Sequence, residues 1–269
     1  MSTPPEDENL PARLRAQAII RDGEQRIGRA WFRSLTRFLD RVRPAAAPPD
    51  GPLDPSRVSD SQQFWTDEVN VQVVPEISGV LRRTWRRVTG AGDPVTDPYV
   101  ADYLNDAGNR LVRVPDEVYA RIVVEIERGI REGRPIPEVT AEVQQILTAS
   151  GSELWPNRAR VVARTETMGA VNAAVFRSAQ LDAEARGDMA PMKVWLATED
   201  QRTRPTHREA DGQRTLLASP FEVGVGGAQL LFPGDPRGPA QEVIQCRCTL
   251  LPVVLGETLD WTDRQEPRG

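Results

Sequence analysis

The stretch VVARTETMGAVNAAVF, residues 161–176, decides how this chain folds. At helical spacing it carries two adjacent stripes. One runs through Val161, Thr165, Met168, Asn172 and Val175, the other through Val162, Glu166, Gly169, Ala173 and Phe176. Thr165, Glu166 and Asn172 therefore interrupt a face that is otherwise built for burial. A carboxylate on such a face is unfavourable unless paired, so Glu166 is expected to meet an arginine from the segment that packs on it. Arg202, Arg204 and Arg247 are the candidates; the other reading makes Glu166 a catalytic acid or base. Gly169 and the alanines around it leave room for another backbone to approach.

Outward from this stretch, the pattern predicts a long helix over residues 156–184. Upstream, apolar residues recur at helical spacing over residues 10–42 and again over 61–88, with a kink at Pro75. Gly90 to Pro94 breaks that pattern. Further helices are expected over 99–112 and 115–132 and from Ile136 onward; Asp116 and Glu117 suit a helix start, and Gly133 follows a helix end. After Gly187 the period changes. Strands are expected over 192–196, 214–217, 229–232 and 243–254, with Asp211-Gly212 as a hairpin turn. Helices first and strands last predict an α+β fold: a mostly helical N-terminal two-thirds, then the long helix packed on a small antiparallel β-sheet at the C-terminus.

The proline-rich run from Arg43 to Pro52 is the clearest boundary and reads as an extended linker. The expected segments are a basic helical one (1–43), the linker (44–56), a helical region (57–114), a C-terminal domain (115–254) and a tail (255–269). The first nine residues have a disorder-type composition. Removing residues 1–49 is expected to leave the C-terminal module folded.

The net charge of −5 over 269 residues does not point to polyanion binding by the chain as a whole. Residues 11–43 run against that balance, with nine arginines facing only Asp22, Glu24 and Asp40. Arg13, Arg15, Arg26, Arg29, Arg33, Arg37 and Arg41 are candidate contacts for an acidic partner or DNA; a solvated helix face is the plainer reading. Lys193 is the sole lysine. No apolar stretch reaches bilayer-spanning length and no secretion signal opens the chain, so a soluble protein without a membrane partner is expected.

The single histidine, His207, and both cysteines, Cys246 and Cys248, fall in the last third. Three such residues make an incomplete zinc set, and Asp211 or Asp235 would have to supply a fourth ligand. Without metal, the cysteines are small core residues and His207 bonds a carbonyl or an aspartate. The cysteines, on one face of an expected strand with Arg247 on the other, lack the helix N-terminus or turn that activates a nucleophile. A hydrolase or nuclease built on Glu166 and His207 is the enzymatic alternative.

The ordered series Ala163-Arg164-Thr165-Glu166, Trp195, Asp200, Arg202-Thr203-Arg204, His207, Asp211-Gly212, Phe221, Pro233-Gly234-Asp235 and Cys246-Arg247-Cys248 resembles the phage head morphogenesis domain. This is the Mu F-like minor head protein family of tailed bacteriophages. The resemblance covers residues 116–254, and Gln245 stands where a small polar residue such as asparagine is expected. It implies a minor capsid component without catalytic residues. Such a protein is made in the host cytoplasm and sits inside the virion head near the portal. Its implied partners are the portal protein, the major capsid or scaffolding protein, and packaged DNA, with roles in prohead assembly, DNA packaging or ejection. On that reading Arg164, Glu166, Trp195, Arg204, His207, Asp211, Asp235, Cys246, Arg247 and Cys248 form a fold-stabilising network, and no cofactor is expected unless zinc is bound.

Overall fold

The protein is described by a computed structural model covering residues 12–46, 55–90, 92–113, 116–149, 155–198, 200–224 and 226–253. The fold is α+β, as its pattern predicts. The long helix, α7 (Trp155–Arg186), is its axis. It ends at Gly187, in the left-handed conformation at φ 68°, where Gly187 N donates to Glu184 O and Asp188 N to Ala183 O. Only glycine takes that conformation cheaply. From Val162 to Phe176 almost every side chain is buried. A helix covered on all sides belongs to an interior, and two layers cover this one.

The first layer is helical. α1 (Ala12–Ala46) lies on α7 and buries Ile27, Ala30, Trp31, Leu35 and Phe38. The helices approach closely at Gly23, where a Cβ would stand 2.7 Å from Val80 and 3.0 Å from Thr167. Arg164 of α7 closes the contact with an ion pair to Glu24 of α1 at 3.1 Å. Residues 43–46 continue α1; the rest of the proline-rich run, and the first nine residues, lie outside the described residues. The basic helix is thus part of the core that the linker was expected to separate from it.

α2 (Pro55–Glu68) and α3 (Val74–Thr89) form the expected bent helix, and the bend has a double cause. Pro75 has no N–H to give, and the turn before it, Val69–Val73, widens into a π-helix. α4 (Pro98–Val112) is capped by Asp97, whose carboxylate accepts from Tyr99 N and Val100 N. α5 (Asp116–Arg131) and α6 (Ile136–Ala149) form a hairpin. Gly129 allows their contact, since a Cβ there would sit 2.3 Å from Val139. Arg134 bridges Glu125 and Glu142 across it.

The second layer is the C-terminal β-region. β1 (Met192–Leu196) is the centre of a three-stranded antiparallel sheet between β2 (Arg214–Leu216) and β5 (Thr249–Val253). β3 (Phe221–Val223) and β4 (Ala228–Leu230) form a separate two-stranded ribbon. Three local expectations change. Asp211-Gly212 does not join adjacent strands as a two-residue hairpin: the β1–β2 connection first makes a short helix, α8 (Pro205–Glu209), and the turn then sets β2 beside β1. The run 243–254 is not one strand. α9 (Ala240–Val243) and a turn occupy its start, and Gln245 at φ 60° interrupts extension before β5. The cysteines therefore precede the strand rather than alternate along it. Pro252 is tolerated because β5 is an edge.

Candidate functional site

The polar residues on α7 hold the C-terminal segment in place. Asn172 is buried; its Nδ2 donates to Pro233 O at 2.8 Å and Cys248 O at 3.0 Å, and its Oδ1 accepts from Leu250 N at 3.0 Å. Two turns earlier, Thr165 Oγ1 donates to Val161 O and accepts from Gln245 N at 2.9 Å. Gly169 lies between them. A Cβ there would meet Gly234 O at 3.0 Å and Tyr103 Oη at 2.8 Å, so glycine is what lets the 233–235 turn lie on the helix.

Glu166, 1% exposed, does meet an arginine, but the expected partners are wrong. Arg110 of α4 donates from Nη2 to both carboxylate oxygens at 2.8 Å. Burial pushes the Glu166 carboxyl above its ordinary range, and the charge and hydrogen bonds of Arg110 oppose that. The pairing faces the helical layer because Arg110 shares the buried stripe of α4 with Tyr103, Ala107 and Leu111. The three arginines proposed from sequence belong to the other layer. Arg204 donates to Ile244 O, Arg247 pairs with Asp200, and Arg202 is exposed. The ion pair with Arg247 holds Asp200 well below the usual carboxylate range.

His207, Cys246 and Cys248 come together in the core beneath β1. The ring of His207 stands edge-on to Trp195, centroids 5.3 Å apart, and Trp195 in turn to Phe221 at 5.4 Å. His207 Nδ1 lies 3.3 Å from Cys248 Sγ and 3.7 Å from Cys246 Sγ. On its far side, Nε2 lies 3.1 Å from Glu242 Oε2, which also accepts from Thr206 Oγ1 at 2.9 Å. Cys248 is pulled down to about 5, first by a hydrogen bond from Cys246 and then by His207, while that same bond and burial push Cys246 up. The expected fourth donors are engaged elsewhere. Asp211 Oδ1 accepts from Ala197 N, closing the turn before β2. Asp235 accepts from Leu231 N and is paired with Arg237 at 2.8 Å.

The stretch that holds the end of the helical layer, the buried long helix and the His–Cys–Cys cluster has relatives in sequence. Residues 120–251 match the family described as phage Mu protein F like protein. Over that stretch the chain belongs to the phage Mu protein F-like family. The chain is 30% identical over 141 residues to the minor head protein GP7 of Bacillus phage SPP1, covering 52% of this chain and 42% of that protein. It is 31% identical over 149 residues to the NAD(+)–arginine ADP-ribosyltransferase EFV of Enterococcus faecalis, covering 55% and 28%. The uncharacterized protein YqbB of Bacillus subtilis is 20% identical over 265 residues, 93% of this chain and 84% of that one. The chain thus spans less than half the length of the first two relatives. No solved structure matches it significantly.

Three residues of the Mu F-like domain and its supporting helices escape a motif-based reading. Glu242 sits among apolar neighbours four residues before Cys246, and only that spacing hints at its role. Arg110 was legible as a cation on a buried stripe. Lys193, whose lone status looked compositional, is fully buried in β1. Its Nζ donates to Leu217 O at 2.9 Å and Leu231 O at 2.8 Å, between the rings of Phe176 and Phe221. It ties β1 to the segments that follow β2 and β4, and burial lowers its pKa to about 7.

The arginine face of α1 lies apart from this network. Arg26, Arg29, Arg33, Arg37 and Arg41 are exposed. Arg26 pairs with Asp22, Arg37 with Glu68, and Arg41 stacks over Phe64. Arg13 and Arg15 lie on the first turn of the helix, with side chains outside the described ones. No helix among the described residues is long and apolar enough to cross a membrane.

Proposed function

We propose that the chain is a minor head protein of a tailed phage, taken into the prohead in few copies beside the portal, where it assists assembly and DNA packaging or delivery. The observation that carries this reading is the family match over 120–251, supported by the likeness to a protein named as a minor head protein. The geometry agrees with a structural role. The pairing of Glu166 with Arg110 and of His207 with Glu242 supports separate structural roles for the two rather than one shared hydrolase or nuclease site. The likeness to an ADP-ribosyltransferase covers 28% of that enzyme and carries no reaction to this chain.

The exposed arginines of α1 are the proposed partner surface. Their apolar neighbours are spent on the core, so the helix presents cations from a fixed support. Acidic faces of the portal, capsid or scaffolding protein, or phosphates of packaged DNA, complement it. Co-expression with the portal protein of the same phage tests the reading. A stable complex weakened by the triple change Arg29→Glu, Arg33→Glu and Arg37→Glu is the expected result. A folded chain that never co-purifies with portal would overturn the portal assignment. A gel shift with duplex DNA tests the nucleic-acid arm, since phosphate contacts predict binding that falls steeply with salt.

A further inference from the structure

We propose that His207 Nδ1, Cys246 Sγ and Cys248 Sγ bind one zinc ion, with Glu242 orienting the histidine from behind. The three donor atoms lie within 4.8 Å of one another. A tetrahedral zinc with bonds of ~2.3 Å to sulfur and ~2.0 Å to nitrogen sets its N and S ligands ~3.5 Å apart. The two N···S distances, 3.3 and 3.7 Å, bracket that value.

The surroundings are those of a metal ligand set rather than of three packed side chains. Because the Glu242 carboxylate can only accept, the contact at Nε2 selects the Nε2–H tautomer, in which the Nδ1 lone pair faces the sulfurs. A carboxylate behind a ligating imidazole fixes its tautomer and raises its basicity. Glu242 is itself buried and held by Thr206, so its placement is built. Two thiolates and an imidazole favour zinc over the harder cations. All three ligand residues are 2% exposed, so a bound ion would be enclosed by the core. A water molecule is the proposed fourth ligand, since among the described residues no further carboxylate, Cys or His joins the set. The ion would join α8 to the segment between α9 and β5, two elements too short to hold position alone.

Metal analysis of the full-length chain tests this. The protein is expressed with added zinc, purified without a polyhistidine tag or chelator, and assayed by elemental mass spectrometry. One zinc per folded chain is expected, and near none in the double variant Cys246→Ser and Cys248→Ser. Because that variant can fail to fold, two further measurements stand beside it. Cobalt added to the chelator-stripped wild-type chain should give tetrahedral d–d bands with thiolate charge transfer. Glu242→Gln should keep the site but weaken its zinc affinity about 10- to 100-fold. A folded wild-type chain that carries no zinc and gives no cobalt–thiolate band overturns the proposal, as does full zinc retention in a folded double-cysteine variant.

Discussion

Two buried charges of opposite sign set the terms at the scale of single residues. Glu166 is held by Arg110, which is 23% exposed and keeps some solvent contact. Removing either partner leaves the other uncompensated, so Glu166→Ala and Arg110→Ala should each cost about 3 kcal/mol in denaturant melts. The double variant should lose less than the sum of the two; strict additivity would show that the pair is not coupled. Among the described residues no carboxylate pairs with Lys193; Asp235 is the charged group that acts on it, opposing the effect of burial. Its amine releases its proton near 7 when folded and near ~10.4 when unfolded. Between those values the unfolded chain binds the extra proton, so stability rises with pH. Going from pH 7 to pH 9 should stabilise the wild-type chain by about 2 kcal/mol more than Lys193→Met. Equal pH dependence of the two proteins would refute this. Gln245 carries a smaller strain. At φ 60° a branchless glycine or a short asparagine sits more easily than glutamine. Gln245→Gly keeps the N–H that binds Thr165 and should raise stability by about 0.5 kcal/mol in the same melts.

Among the elements, α1 departs most from what its sequence suggests. Its arginines suggest a partner-facing or solvated helix and the proline run after it a boundary, yet its other face buries Trp31, Leu35 and Phe38 against the rest of the fold. Deleting residues 1–49 should therefore expose the covered sides of α3 and α7 and abolish or sharply weaken cooperative thermal melting. A truncated chain that melts as the full one does would instead bear out the expectation that the C-terminal module folds without residues 1–49. The long helices were legible because each carries an apolar stripe, and α7 because its polar interruptions fall at helical spacing; α8 and α9 are too short to show one. The strands were less so: β3, with three residues, is too short for alternation to register and was not expected, whereas the strand expected over 229–232 is β4. The run 243–254 shows why composition misleads over short spans. Its β-branched residues suit a strand, but the bond from Gln245 N to Thr165 and the His–Cys cluster fix its first half as a turn. The same long-range pairing explains the misassigned partner of Glu166. Sequence spacing shows that a buried carboxylate needs a cation, but not from which side of the helix it comes.

The whole molecule is a helical layer and a β-layer clamped on one buried helix. Thr165 and Asn172 make the clamp to the β-layer, Arg164 and Glu166 pair with the helical layer, and Asp211 and Asp235 close turns of the β-region. Such a body suits the proposed role in a phage head, with the exposed arginines on α1 as the proposed partner surface. The family match makes membership of the head the central claim. Quantitative mass spectrometry of heads purified from phage-producing cells tests it most directly. The account predicts that the chain co-sediments with intact heads, in far fewer copies than the major capsid protein. A chain abundant in the lysate yet absent from proheads and mature heads alike would contradict it.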